Sequence, residues 1–215
     1  MFEKVRNFTF VSVFLLNAVL IKERTAVKIT KLDVPAVVQK GTPTVLDCQY
    51  ILDADTEQGL ILKWYFNTDS LVYEWIPGKK PQVFGVLKGK LSNETSEANY
   101  RALNIGNPDI TLTGNYTCTV STFTGEYSET KRMLVFAPPT DMELAYFHSD
   151  YNILEVNCTA HGVYPIPKLT VFADKTELVS TDSDVEEIGG YFSVELRFSK
   201  EGSEVLYGDC IKIYS

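Results

Sequence analysis

The chain has 215 residues, 45% of them hydrophobic, and a formal net charge of −8. This length suffices for two domains of about 100 residues each, and the apolar content suffices for packed cores. The acidic balance argues against a nucleic-acid surface, which needs a stripe of Lys and Arg. The net charge otherwise reports on solubility.

The first 26 residues have the pattern of a secretory signal peptide. A short basic start, MFEKVRN, precedes fourteen mostly apolar residues, FTFVSVFLLNAVLI. This run is shorter than the about 20 apolar residues that a transmembrane helix needs. We therefore expect residues 1–26 to be removed on export. An uncleaved signal anchor stays open as the alternative, because neither Ala18 nor Ala26 lies in an A-x-A context.

Alternating apolar positions predict a series of β-strands in the following segment. In LILKWYF, a period of two turns Trp64 inward, so that Lys63 and Tyr65 face outward. LVYEWI is expected to form the next strand and to end at the turn Pro77-Gly78. GNYTCTV and TKRMLVF are expected to form the last two strands of this half.

Two cysteines frame a tryptophan here with a spacing that is typical of one fold. Cys48 and Cys118 lie in predicted strands, Trp64 lies between them, and Tyr116 precedes the second cysteine by two residues. This pattern resembles an immunoglobulin domain, in which such cysteines join strands B and F and the tryptophan packs against their disulfide. The resemblance implies a Cys48–Cys118 bond and a tyrosine hydroxyl bonded to the backbone at the E–F corner. The 70-residue separation of the cysteines leaves room for strands C′ and C″, as in the variable type.

The second half repeats the pattern with three departures. ILEVNCTA, GVYPIPKLTVF and YFSVELRF predict strands that follow a stiff A-P-P linker at 137–139. Phe172 stands where the core tryptophan is expected, Tyr207 lies three residues before Cys210, and only five residues follow that cysteine. A clear final strand is therefore missing. The chain is either a fragment or has a second domain with an open edge.

We thus expect an all-β chain of two tandem immunoglobulin-like β-sandwiches. The predicted boundaries are 27–137 for a variable-type domain and 138–215 for a second, incomplete domain. Four cysteines allow three pairings. The resemblance implies the sequential pairing, Cys48–Cys118 and Cys158–Cys210, with one bridge in each domain.

The run C-T-A-H-G-V-Y-P-I-P-K-L from Cys158 resembles the constant-type second domain of butyrophilin-like surface receptors. The domain order, with KWYFN and VYEWIPGKKPQ in the first domain, resembles the Beaten path-like neuronal adhesion proteins. These resemblances imply an extracellular, secreted or cell-surface protein that binds another protein of the immunoglobulin superfamily. A soluble secreted ligand or decoy stays open as the alternative. One departure is Leu112, which stands where variable domains have an acidic residue that forms a salt bridge.

The outer face of the predicted C–C′ sheet is the candidate partner surface. Its expected members are Lys63, Tyr65, Tyr73 and Trp75, because aromatic side chains bring large contact area at low entropic cost. The alternative is that Tyr73 or Trp75 folds over its own sheet edge. Phe123 in the F–G loop is a second candidate, with a local lid as the alternative.

Three sequons beyond the predicted signal peptide predict N-linked glycosylation at Asn93, Asn115 and Asn157. Alternation turns Asn115 and Asn157 toward solvent, and Asn93 lies in a polar loop. A sequon alone does not show that a site is used.

Catalytic chemistry is not expected from this sequence. The two histidines fall in different predicted elements, and no HExxH, CxxC or GxGxxG motif occurs. The bridged cysteines leave no thiolate for metal binding or catalysis. The acidic run TDSDVEE lacks the spaced ligand pattern of a calcium site and is expected to form a solvated loop. We therefore predict a binding protein with no cofactor and no small-molecule substrate, with an enzyme as the least favoured alternative.

Overall fold

The computed structural model describes residues 27–52, 58–92, 100–148, 153–173, 176–178, 180, 182–201 and 208–213. The predicted signal peptide, residues 1–26, and the sequon at Asn93 lie outside them. Within these described ranges, no helix is long and apolar enough to cross a membrane.

The strands of the first half form two sheets. They are β1 (Val27–Asp33), β2 (Val37–Gln39), β3 (Thr44–Leu52), β4 (Ile61–Phe66), β5 (Ser70–Trp75), β6 (Gln82–Val83), β7 (Ala102–Ile105), β8 (Gly114–Thr122) and β9 (Gly125–Phe136). One sheet has the order β1-β3-β7, and the other has the order β2-β9-β8-β4-β5-β6. Two short 3-10 turns, Gly85–Leu87 and Ile110–Leu112, lie between strands.

The two sheets of this half enclose a hydrophobic core. Its fully buried members include Leu46 on β3, Leu62 and Trp64 on β4, and Tyr116 on β8. The predicted Cys48–Cys118 disulfide is present and joins β3 to β8, with the two Cα atoms 6.4 Å apart. A loop of this length gives a disulfide a stabilising effect of about 4 kcal/mol in the chain-entropy model.

The first described segment, residues 27–39, contributes one strand to each sheet. β1 pairs antiparallel with β3, whereas β2 pairs parallel with β9. Pro35 lies between β1 and β2 and has no N–H to donate to a ladder, so the chain changes sheets at this position. The six-stranded sheet thereby gains β2 as a cover for the edge of β9.

The second half also forms two sheets. Its strands are β10 (Asp141–His148), β11 (Ile153–Val163), β12 (Lys168–Ala173), β13 (Thr176–Leu178), β14 (Asp182–Ile188), β15 (Tyr191–Glu201) and β16 (Gly208–Ile213). The sheet orders are β10-β11-β15-β14 and β13-β12-β16. In the described part of the chain β16 is an edge strand, in agreement with the predicted lack of a clear final strand. The acidic run forms β14, an edge strand with exposed side chains, instead of a loop.

A second, smaller core lies between these sheets and contains Val156 and Cys158 of β11 and Phe198 of β15. Cys158 is fully buried and takes part in a disulfide bond. The side chain of Cys210 lies outside the described part of the structure. The pairing of these two cysteines therefore stays a prediction.

Hydrogen bonds are among the contacts that join the two halves in the residues that the structure describes. The backbones of Ala137 and Tyr164 exchange two hydrogen bonds, of 2.8 and 3.1 Å. The Nζ atom of Lys40 donates a hydrogen bond of 2.7 Å to the hydroxyl of Tyr191. The boundary expected after residue 137 falls between β9 and β10, and its use as a domain boundary stays a prediction.

Candidate functional site: the outer face of the six-stranded sheet

Strand β4 presents one buried face and one partly exposed face. Leu62, Trp64 and Phe66 are buried, while Lys63 and Tyr65 alternate with them and are half-buried. In the register with β8, Lys63 lies opposite Thr119 and Tyr65 lies opposite Thr117. Lys63 and Tyr65 thus project from the outer face, where the alternation in the sequence places them. Their use in partner binding stays a prediction.

Hydroxyl groups on this face bond to one another across β8 and β9. Thr117 lies opposite Thr130, and their Oγ1 atoms are 2.8 Å apart. Thr119 lies opposite Ser128, with 2.8 Å between Oγ1 and Oγ. Each pair shares one hydrogen bond, so each of these hydroxyl groups has a partner on the face.

The charged groups in the middle of the face are also paired. Lys63 lies opposite Glu74 in the β4–β5 register, and the Nζ atom is 3.6 Å from a carboxylate oxygen. The two side chains are 30% and 23% exposed, so the pair is partly shielded from water. Leu71 of β5 lies opposite Tyr65 and adds an apolar neighbour that the sequence analysis missed.

The expectation that Tyr73 and Trp75 belong to this face is wrong, because both side chains are buried, with 4% and 7% exposure. Register explains their burial. Tyr73 lies opposite Trp64 and Trp75 lies opposite Leu62, and residues directly opposite on paired strands share a face of the sheet. The hydroxyl of Tyr73 donates a hydrogen bond of 2.7 Å to the carbonyl of Tyr100.

A signal in the sequence identifies the buried face of β5. Glu74 lies at the centre of LVYEWI, and a charged residue in a half-buried strand marks the solvent side. Alternation around Glu74 then turns Tyr73 and Trp75 inward. A bulge at Val72, between the paired positions Leu71 and Tyr73, interrupts the register, so that Val72 and Tyr73 are both buried although they are consecutive.

Phe123 lies at one end of the outer face, in the two-residue turn between β8 and β9. Its side chain is 82% exposed. The ring contacts Gly59, where a Cβ atom would lie 2.4 Å from it, and the Phe123 N–H donates to the carbonyl of Gln58 at 3.1 Å. Phe123 lies six residues beyond Thr117, hence about 20 Å from Tyr65 along the strand direction. It is therefore a separate part of the surface.

The two described sequons lie in different environments. Asn115 of β8 is exposed, whereas Asn157 of β11 is half-buried. The Nδ2 atom of Asn157 donates a hydrogen bond of 2.7 Å to a carboxylate oxygen of Glu195. Use of either sequon stays a prediction.

The residues expected to be core are core. The hydroxyl of Tyr116 donates a hydrogen bond of 2.9 Å to the carbonyl of Leu112 in a buried position. Burial raises the pKa of Tyr116 well above its ordinary value, so this hydroxyl remains protonated. The Nε1 atom of Trp64 donates to the carbonyl of Arg101 at 3.3 Å.

An ion pair supports the turn that presents Leu112. Lys90 contacts the carboxylate of Asp109, which also accepts a hydrogen bond of 2.9 Å from the N–H of Thr111. Burial alone would raise the pKa of Asp109, but these hydrogen bonds outweigh it and hold the pKa below its usual value. The sequence does not predict this pair, because variable domains have their acidic residue at the position of Leu112, whereas Asp109 lies three residues earlier in the chain.

In the residues that the structure describes, no group of His, Cys, Asp or Glu side chains could hold a metal ion.

No family model and no curated protein matches the chain. Its structure is similar to that of bovine butyrophilin, with a TM-score of 0.66 and 16% identity over 85% of this chain and 96% of that chain. It is also similar to a chain in the crystal structure of ICOS in complex with ICOS-L and an anti ICOS-L VNAR domain, with a TM-score of 0.58 and 12% identity over 83% of this chain and 97% of that chain. A third similar structure is the amphioxus IgVJ-C2 molecule, with a TM-score of 0.50 and 19% identity over 83% of this chain and 98% of that chain.

The fold is that of tandem immunoglobulin domains. The prediction of an all-β immunoglobulin-like chain, variable-type and then constant-type, is thereby confirmed. At these identities the likeness establishes the fold and not the function, and the narrower resemblance to Beaten path-like proteins stays a prediction. In immunoglobulin terms β4, β5, β8 and β9 are strands C, C′, F and G.

Proposed function

We propose that this protein is an extracellular recognition protein that binds another cell-surface protein through the outer C–C′–F–G face of its first immunoglobulin domain. The observation that carries the proposal is that polar side chains at the centre of this face, around Tyr65, are paired with one another. They form two hydroxyl pairs and one ion pair. Burial of an unpaired polar group costs about 1–3 kcal/mol. A partner that covers the centre of this face therefore meets groups that already have a partner, which lowers the cost of burying them.

Tyr65 is the side chain best placed to act as an anchor. It is half-buried, lies opposite Leu71 on one side and Thr117 on the other, and carries a hydroxyl for a partner. Tyrosine is enriched among the residues that dominate interface energetics. Lys63 and Glu74 lie on the same face and would contribute specificity more than affinity.

Two observations support the location and the partner class. The Cys48–Cys118 disulfide is typical of proteins exposed to an oxidising compartment, which fits export through the predicted signal peptide. Among the similar structures, ICOS is present in complex with ICOS-L, which favours a protein as the partner here too. We propose a surface protein of the immunoglobulin superfamily, and no enzymatic role.

The test is a screen of the secreted protein against a library of surface immunoglobulin proteins. Tyr65→Ala, compared with the wild type after enzymatic removal of N-linked glycans from both, should then weaken the recovered interaction by about 2 kcal/mol, or about 30-fold in Kd. Val45→Ala is the matched control, since Val45 is 49% exposed on β3 of the opposite sheet. Unchanged binding by Tyr65→Ala, together with weakened binding by Val45→Ala, would show that the partner binds the β1-β3-β7 sheet and would contradict the proposal.

A further inference from the structure

The sequon at Asn115 lies on the same face as the proposed binding surface. In β8, Tyr116 and Cys118 are buried, while Asn115 is exposed and Thr117 is half-buried. Asn115 and Thr117 therefore point outward from the six-stranded sheet, on the side that carries Tyr65. The two sequon residues that glycosylation requires are both on this face.

The distance between Asn115 and Tyr65 is short. Thr117 lies directly opposite Tyr65, and Asn115 is the preceding outward residue on the same strand. Two residues of a strand span about 7 Å. Because an N-linked glycan is bulky, a glycan attached at Asn115 would cover the space above Tyr65.

Attachment at Asn115 would leave the local hydrogen bonds intact. The Asn115 N–H donates to Oδ1 of Asn67 at 3.2 Å, and the Asn67 N–H donates to the carbonyl of Asn115 at 2.7 Å. Both bonds use the backbone of Asn115. Its Nδ2 atom has no hydrogen-bond partner among the residues that the structure describes.

Asn157 provides a contrast within the same chain. Its Nδ2 atom is bonded to Glu195, and β11 lies between β10 and β15 within a four-stranded sheet. A glycan there would replace one of the two Nδ2 hydrogens of a half-buried amide and would crowd its charge-assisted hydrogen bond to Glu195. The structure thus favours Asn115 over Asn157 as a site of modification.

We propose that an N-linked glycan on Asn115 is a steric gate on the outer face. In the glycosylated protein the glycan blocks access to the Tyr65 side chain, and in the unglycosylated protein that side chain is accessible. The effect on binding rests on the proposed function, whereas the presence of the glycan and its shielding of Tyr65 do not. Phe123, about 20 Å from Tyr65 along the strand, lies beyond this gate.

The first measurement is site occupancy. The full chain is secreted from animal cells, its glycans are removed by peptide N-glycosidase in heavy-oxygen water, and the labelled asparagines are located by mass spectrometry. We expect label at Asn115 and none at Asn157. Absence of label at Asn115 overturns the proposal.

The second measurement is shielding, with tetranitromethane as the probe of tyrosine access. Nitration of Tyr65 should be several-fold faster in Asn115→Gln than in the glycosylated wild type. Thr117→Ser is the matched control because it keeps the sequon, and it should behave as the wild type does. Tyr127 is the internal control. It is 38% exposed, and because it lies opposite the buried Val120 it belongs to the other face of the sheet, away from Asn115. Equal nitration of Tyr65 in Asn115→Gln and wild type overturns the gate.

The third measurement is binding to the same panel of surface immunoglobulin proteins. Asn115→Gln should bind its partner several-fold more tightly than glycosylated wild type, and adding Tyr65→Ala should abolish the gain. Shielded nitration together with unchanged binding would leave the glycan's position supported and would instead contradict the outer face as the partner surface. The failure of the gate and the failure of the proposed function are therefore distinguishable.

Discussion

Replacement of each tryptophan by phenylalanine tests the packing of the first domain. Trp64 is fully buried, and its Nε1 atom donates to the Arg101 carbonyl. Trp75 is also buried, at 7% exposure, but its Nε1 atom has no hydrogen-bond partner in the part of the chain that the structure describes. The same substitution therefore removes a satisfied N–H at one site and an unsatisfied N–H at the other.

The magnitudes follow from these environments. Loss of the outer ring atoms leaves a cavity at both sites and costs about 1–2 kcal/mol of unfolding free energy. At position 64, loss of the hydrogen bond adds about 1 kcal/mol and leaves a carbonyl unpaired. At position 75, removal of a buried unpaired N–H returns about 1–3 kcal/mol and offsets the cavity. We expect Trp64→Phe to destabilise the domain by about 2–3 kcal/mol and Trp75→Phe by less than about 1 kcal/mol.

Urea unfolding followed by tryptophan fluorescence measures the difference. The sequence contains two tryptophans, so each variant keeps one reporter within the same domain. Equal slopes of free energy against urea would show that the surface exposed on unfolding is unchanged. Trp75→Ala should cost about 3–5 kcal/mol, because Trp75 belongs to the core. An equal loss of stability in Trp64→Phe and Trp75→Phe would refute the reasoning about the indole N–H.

The remaining predictions concern the turn before β8. Tyr116→Phe should lower the free energy of unfolding by about 1–3 kcal/mol, because the Leu112 carbonyl is left buried and unpaired, and thermal unfolding measures this loss. Asp109→Asn should reduce the loss of unfolding free energy that occurs as the pH is lowered. The carboxyl pKa is lowered in the folded state by Lys90 and Thr111, so its contribution is present above the unfolded value of 3.8 and is lost as pH falls through the folded value. Urea midpoints measured above and below the unfolded pKa would test this. If Asp109→Asn lost as much stability on acidification as the wild type does, the prediction would be contradicted.

Alternation in the sequence is sufficient to predict the central strands. A sheet that faces a core on one side and water on the other imposes a period of two, and Leu62, Lys63, Trp64 and Tyr65 obey it. The disulfide follows from the immunoglobulin resemblance and is confirmed. These features depend on local pattern and on a spacing that the fold requires.

Composition alone misplaces Tyr73 and Trp75, which are aromatic residues beside a predicted surface. Alternation around Glu74 turns them inward, and the register with β4 fixes that face. Contacts between distant strands, by contrast, lie beyond any local pattern. The hydrogen bond between Asn157 and Glu195 joins residues 38 positions apart, so no local pattern contains it. The sequon at Asn157 therefore gave no indication that its amide is already bonded.

The parallel pairing of β2 with β9 has a mechanical consequence. Val37 lies beside Leu134 and Gln39 beside Phe136, and β9 leads directly to the backbone bonds between Ala137 and Tyr164. When the two ends of the first domain are pulled apart, the hydrogen bonds between β2 and β9 lie across the direction of pull and are loaded together in shear. If they rupture, the Cys48–Cys118 disulfide keeps the 70-residue loop closed and limits how far the domain can extend.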